Sequence, residues 1–151
     1  MKLLTLPVRF GIATSGSLIA YFLILSLFGL HTNVFFSLFN AVITGFGIFE
    51  AIKYYRLELG EKFNYGRGFA AGVVTGFLAT LIFTIFFAFY STEISPDFLQ
   101  KLSAKWFNEF RDFEGIVFFT VAIMGFATSL VLTLSFMQLF ISSKNPKNKA
   151  V

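Results

Sequence analysis

The chain has 151 residues, of which 56% are hydrophobic and 13% charged, with a mean hydropathy of +0.77 and a formal net charge of +4. A water-soluble domain of that size leaves a large share of its surface exposed, and this composition has too little polar material to cover it, which excludes an ordinary soluble globule. Cysteine is absent, which excludes a disulfide framework, a thiolate nucleophile and a cysteine-ligated metal.

Four uncharged apolar runs, Phe10 to Leu30, Thr32 to Phe49, Phe69 to Thr92 and Gly115 to Ser143, are each long enough to cross a hydrocarbon core as helix. Their apolar residues fall on every helical face, without the short alternating segments of a transmembrane barrel. The predicted fold is all-α: one polytopic membrane domain over residues 1–151, with four transmembrane helices, a short amphipathic interfacial helix between the third and fourth, and a short basic tail at 144–151.

The first helix is expected to begin near Pro7, whose missing amide proton is harmless in a first turn, and to end near Gly29. Its length and the Leu30-His31-Thr32-Asn33 sequence after it do not fit a cleavable signal peptide, so it is expected to stay attached. Ala13, Gly16 and Ala20 are expected to pack closely against Ala41 and Gly45 of the second helix in an antiparallel hairpin. His31, with no acidic neighbour in sequence, reads as an interfacial polar residue rather than a ligand or acid/base.

The second helix is expected to continue past the hydrocarbon through Arg56 and stop near Gly60. Glu50 follows a long uncharged run and is the one ionisable residue with a functional reading. It pairs with Lys53 or bonds Tyr54, or, on the less economical alternative, serves a proton or cation relay. A relay needs deeper polar groups, and Asn40, Thr44, Thr80, Thr128 and Gln138 form no ionisable chain by sequence. Tyr55 and Arg56 have the chemistry of interfacial anchors.

Asn64 is placed to cap the third helix. Gly68, Gly72 and Gly76 recur every four residues and line one stripe, continued by Thr80 and Thr84. Gly125, Ser129 and Thr133 repeat the spacing in the fourth helix and are candidates to face it. The stripe reads as an internal seam of the bundle, with a dimer or partner seam and a ligand groove as alternatives. Phe87 is expected to point outward.

Between these helices, Ser95-Pro96 opens an amphipathic segment with Leu99, Leu102, Trp106, Phe110 and Phe113 on one side and Lys101, Lys105, Glu109 and Asp112 on the other. Trp106 is its expected interfacial anchor, and Lys105 is spaced to pair with Glu109. The segment reads as a connector resting on the membrane, or as a lid or docking surface for a periplasmic partner.

Lys2, Arg9, Lys53, Arg56, Lys62, Arg67, Lys144, Lys147 and Lys149 fall on one side of this topology, against Lys101, Lys105 and Arg111 on the other, which predicts cytoplasmic termini. The same scatter of short juxtamembrane basic segments argues for anionic lipid headgroups as partners and against nucleic acid. No metal, haem or nucleotide-binding motif is visible, so no cofactor and no enzymatic activity are expected.

The segments Gly47-Ile48-Phe49-Glu50-Ala51-Ile52-Lys53-Tyr54-Tyr55-Arg56, Gly60, Phe63-Asn64-Tyr65-Gly66-Arg67-Gly68-Phe69-Ala70-Ala71-Gly72 and Ile94-Ser95-Pro96 resemble the Bacteroidota membrane family catalogued as domain of unknown function 4199. The resemblance implies a small four-helix protein of the bacterial inner membrane and carries no established activity. Size and small-residue seams point to a structural or accessory subunit, either a homo-oligomer or part of a larger inner-membrane protein complex. The alternative is an oligomeric transporter or channel for an ion or small molecule.

Overall fold

The computed structural model describes residues 2–31, 33–106 and 113–142, with side chains over 5–31, 33, 35–101 and 114–141. Among these residues the regular structure is all helix, with no strand: α1 (Lys2–Leu27), α2 (Val34–Leu59), a 3₁₀ turn (Gly60–Lys62), α3 (Tyr65–Phe89), a π turn (Tyr90–Ile94), α4 (Pro96–Trp106) and α5 (Phe113–Ser142). α1, α2, α3 and α5 are long and apolar enough to cross a membrane. The protein is a multi-pass membrane protein. The 144–151 tail, Phe110 and the side chains of Lys105, Trp106 and Glu109 lie outside the described residues.

Each helix end has a local cause. Gly29 adopts φ +67°, where a side chain is strained, and lets Gly29 N donate to Ser26 O at 3.1 Å and Leu30 N to Leu25 O at 2.9 Å. Those two bonds satisfy α1 carbonyls that its own helix leaves free. Asn33 then caps α2 by accepting from Phe35 N at 3.0 Å, and Asn64 caps α3 by accepting from Arg67 N at 2.9 Å. α1 starts earlier than its proline suggested, so Pro7 lies inside the helix and is fully buried.

α3 is the centre of the bundle, packed on α1, α2 and α5, while α2 also touches α1 and α5. α1 and α5 therefore stand on opposite sides of the α2–α3 pair. α5 is the most peripheral span, with 6% of its most apolar window buried inside the bundle against 33% for each of the others. Two buried clusters mark opposite ends. Ile48, Ile52 and Met137 join α2 to α5, and Phe22, Phe87, Tyr90, Phe98 and Leu99 join α1, α3, the π turn and α4.

Three side-chain expectations are corrected. Phe87 is buried, packed edge-on against Phe22, Phe98 and Phe118. Gly16 faces open space, Ala13 and Ala20 are exposed, and Gly45 faces Leu132 and Phe136 of α5. The α1–α2 contact is made instead by Thr14, seated against Gly47. α4 does more than rest on the membrane, because Phe98 is only 4% exposed and is inserted among the rings of the bundle end.

Candidate functional site

From Gly68 to Thr80 the α3 stripe lies against α5. A Cβ on Gly72 would stand 2.5 Å from Thr133 Cγ2, one on Gly76 2.5 Å from Ser129 Cβ, and one on Gly68 2.8 Å from the Met137 thioether. One turn further on the relationship reverses, and Thr80 of α3 fits against Gly125 of α5. At three of these four levels a glycine meets a hydroxyl-bearing residue, so the backbones approach and dispersion holds them where lipid supplies no hydrophobic drive. This seam lies inside one chain.

The interior hydroxyls are largely occupied by their own helices. Thr14 donates to Phe10 O, Thr84 to Thr80 O and Thr133 to Ser129 O, all at 2.7–2.8 Å. Thr75 differs: its hydroxyl lies 2.8 Å from Ala71 O and 3.1 Å from Pro7 O of α1. Ser26 and Tyr90 share a hydroxyl–hydroxyl bond between α1 and the π turn. Among the candidates for a deeper polar chain, Gln138 is exposed, Thr80 is absorbed by the seam, and Asn40 Oδ1 is buried with no partner among the described residues.

Glu50, Lys53 and Tyr54 gather at the end of the bundle that also carries Arg9, Arg56 and Arg67. Lys53 Nζ lies 3.2 Å from Glu50 Oε1, a pair one helical turn apart. Tyr54 is 48% exposed and stacks on Phe10 of α1, with ring centroids 5.6 Å apart. Tyr55 is only 6% exposed and turns into the bundle, which leaves Tyr54 as the ring presented to the boundary. Arg56 lies over the Phe140 ring at 5.8 Å. Trp106 ends α4, and its side chain lies outside the described residues.

Below Glu50, a groove of about 520 Å³ runs between α1 and α2, lined by Phe10, Ala13, Thr14, Ser17, Phe46 and Gly47 among others, with Glu50 at its rim. On the other flank of α2, a groove of about 440 Å³ between α2 and α5 is lined by Ala41, Val42, Gly45, Phe46, Phe49, Leu132 and Phe136 and has no charged member. Among the described residues no group of three or more histidine, aspartate or glutamate side chains could hold a metal ion.

At the opposite end, His31 stacks on Phe98 with centroids 4.9 Å apart and meets Phe22 edge-on at 5.9 Å. Its Nδ1 is buried without a partner among the described residues. Burial lowers the His31 pKa below its ordinary 6.5, and the positive charge of Lys101 on α4 lowers it further. Phe98 and Leu99 follow Pro96 after one intervening residue, Asp97, and nothing in the sequence marks Phe98 or the Ser26–Tyr90 bond.

Residues 9–138 match the model of a family described as Protein of unknown function (DUF4199). The chain belongs to the DUF4199 family. Searches of curated proteins and of solved structures gave no match. The match runs from the second turn of the first span to the last turns of α5, so both the α3–α5 seam and the Glu50 groove lie within the DUF4199 region.

Proposed function

We propose that this DUF4199 protein is a non-catalytic accessory subunit of a bacterial inner-membrane assembly, with both termini cytoplasmic. The observation that carries the reading is the interlocked seam: Gly72 with Thr133, Gly76 with Ser129 and Thr80 with Gly125 form a close-packed interior suited to a static scaffold. The placement of Arg9, Lys53, Arg56, Lys62 and Arg67 at one end supports the orientation, because basic residues are retained on the cytoplasmic side. α4, docked through Phe98 and Leu99, offers the scaffold an outer surface for a periplasmic partner.

The test is extraction in a mild detergent from the native membrane, followed by native mass spectrometry of the intact particle. A stoichiometric larger complex supports the accessory role. A particle containing only copies of this chain overturns it and favours an oligomeric ion or small-molecule transporter. In that reading the groove beside Glu50 would be closed by a second copy, and Glu50→Gln would abolish pH-dependent flux in proteoliposomes.

A further inference from the structure

The groove between α1 and α2 joins two features that a phospholipid also joins. From Val42 to Glu50 it follows α2 for eight residues, or about 12 Å at the helical rise, from the uncharged stretch of the span to its first charged residue. Its walls are apolar, with Phe46 on one side and Ala13 on the other, and the seat of Thr14 on Gly47 closes its floor. One end of its lining is the Glu50 carboxylate, and Lys53, one turn beyond the lining, holds its ammonium 3.2 Å from Glu50 Oε1, with Arg9 exposed one helical turn before Ala13. The α2–α5 groove has the apolar walls without the charged rim.

We propose that the α1–α2 groove is a binding site for a zwitterionic phospholipid with a primary-amine headgroup, of the phosphatidylethanolamine type. The acyl chain lies along Phe46 and Ala13, the lipid ammonium donates to the Glu50 carboxylate, and the phosphate accepts from Lys53. The protein and lipid dipoles then lie antiparallel, and each charge has an opposite neighbour at a boundary where water is scarce. A trimethylated headgroup has no N–H to donate to Glu50. A headgroup with a phosphate and no amine leaves Glu50 facing a like charge. The site is independent of the accessory role, since it needs only the hairpin and its charged rim.

The experiment takes the purified full-length chain, stripped of lipid in detergent, and offers it an equimolar mixture of phosphatidylethanolamine, phosphatidylcholine and phosphatidylglycerol with identical acyl chains, counting retained lipids by native mass spectrometry. Wild type should retain the ethanolamine lipid about tenfold over the choline lipid, a difference of about 1.4 kcal/mol. Glu50→Gln should bring the two to parity while chain-dependent binding persists. Ala13→Phe, which fills the groove without touching the charges, should reduce retention of all three. Equal retention of ethanolamine and choline lipids by wild type overturns the proposal whether or not the variants fold. So does a preference for phosphatidylglycerol, or an unchanged ethanolamine preference in a folded Glu50→Gln.

Discussion

The Thr75 hydroxyl on α3 lies 3.1 Å from the carbonyl oxygen of Pro7 on α1, across the packing of two helices that the chain separates by most of α1 and all of α2. The single hydroxyl proton of Thr75 is shared between this interhelical acceptor and Ala71 O of its own helix. Both Thr75 and Pro7 are fully buried, and Gly11, one turn on from Pro7, would meet Thr75 O at 3.1 Å if it carried a Cβ. The contact fixes the depth at which α1 enters the bundle.

Thr75→Val keeps the shape and removes the donor. Interhelical hydrogen bonds in membrane proteins average about 0.6 kcal/mol, since the unfolded chain in lipid finds partners too. The variant should remain folded and lose roughly that amount in reversible unfolding in mixed detergent. A loss beyond about 2 kcal/mol would mean that α1 docking depends on this bond far more than on packing.

The seam predicts a rescue. Gly76→Ser places a side chain where Ser129 already stands, and overpacking of this kind costs about 1–3 kcal/mol. Ser129→Gly in the same chain vacates the space, so the double variant should recover most of the loss, read as a coupling energy in a double-mutant cycle. Additive losses would show that the two positions do not share the space. Gly72→Leu should be severe, because Thr133 and Ile52 crowd it, whereas Ile85→Ala, at a position exposed to lipid, should be mild.

His31 gives a pH dependence. Undocked, its imidazole titrates near 6.5; docked against Phe98, burial and Lys101 lower that value. The undocked state therefore binds more protons, and α4 docking is at full strength above about pH 6.5 and weakens as pH falls through the window below it. The backbone amides of α4 report on its docking. Their hydrogen-exchange protection, corrected for the intrinsic rate at each pH, should fall as pH drops from about 8 to about 5. His31→Phe keeps a ring beside Phe98 without a titrating group, and its profile should be flat.

What the sequence made legible follows from what a membrane leaves to be read. In water, hydrophobic periodicity separates inside from outside; in lipid both sides are apolar, and small and polar residues carry most of the information. The four-residue spacing of Gly68, Gly72 and Gly76 was visible for that reason, as was the Glu50–Lys53 spacing. The rotation of α1 was not. Ala13, Gly16 and Ala20 also form a small-residue pattern, yet Gly16 meets open space, Ala20 is exposed and Ala13 lines an open groove, while the residue seated on α2 is the β-branched Thr14. Phe87 and Phe98 were unreadable for the complementary reason, since a phenylalanine suits lipid and protein interior equally well.

Phe22 tests how much aromatic packing is worth at the α4 end. Its ring has centroid distances of 5.0 Å to Tyr90, 5.7 Å to Phe87, 5.9 Å to His31 and 6.5 Å to Phe98, so it touches α3, the π turn, the connection between α1 and α2, and α4 at once. In a soluble core Phe→Ala costs about 3–5 kcal/mol, part of it transfer out of water. Here the unfolded reference lies in lipid as apolar as the core, and the surviving cost is the cavity with its lost dispersion and edge-to-face contacts. Phe22→Ala should therefore fall below that range in reversible unfolding, yet free α4, lowering the hydrogen-exchange protection of its amides at neutral pH to the level wild type reaches only in acid. Unaltered protection would show that Leu99 and the π turn hold α4 without the ring cluster.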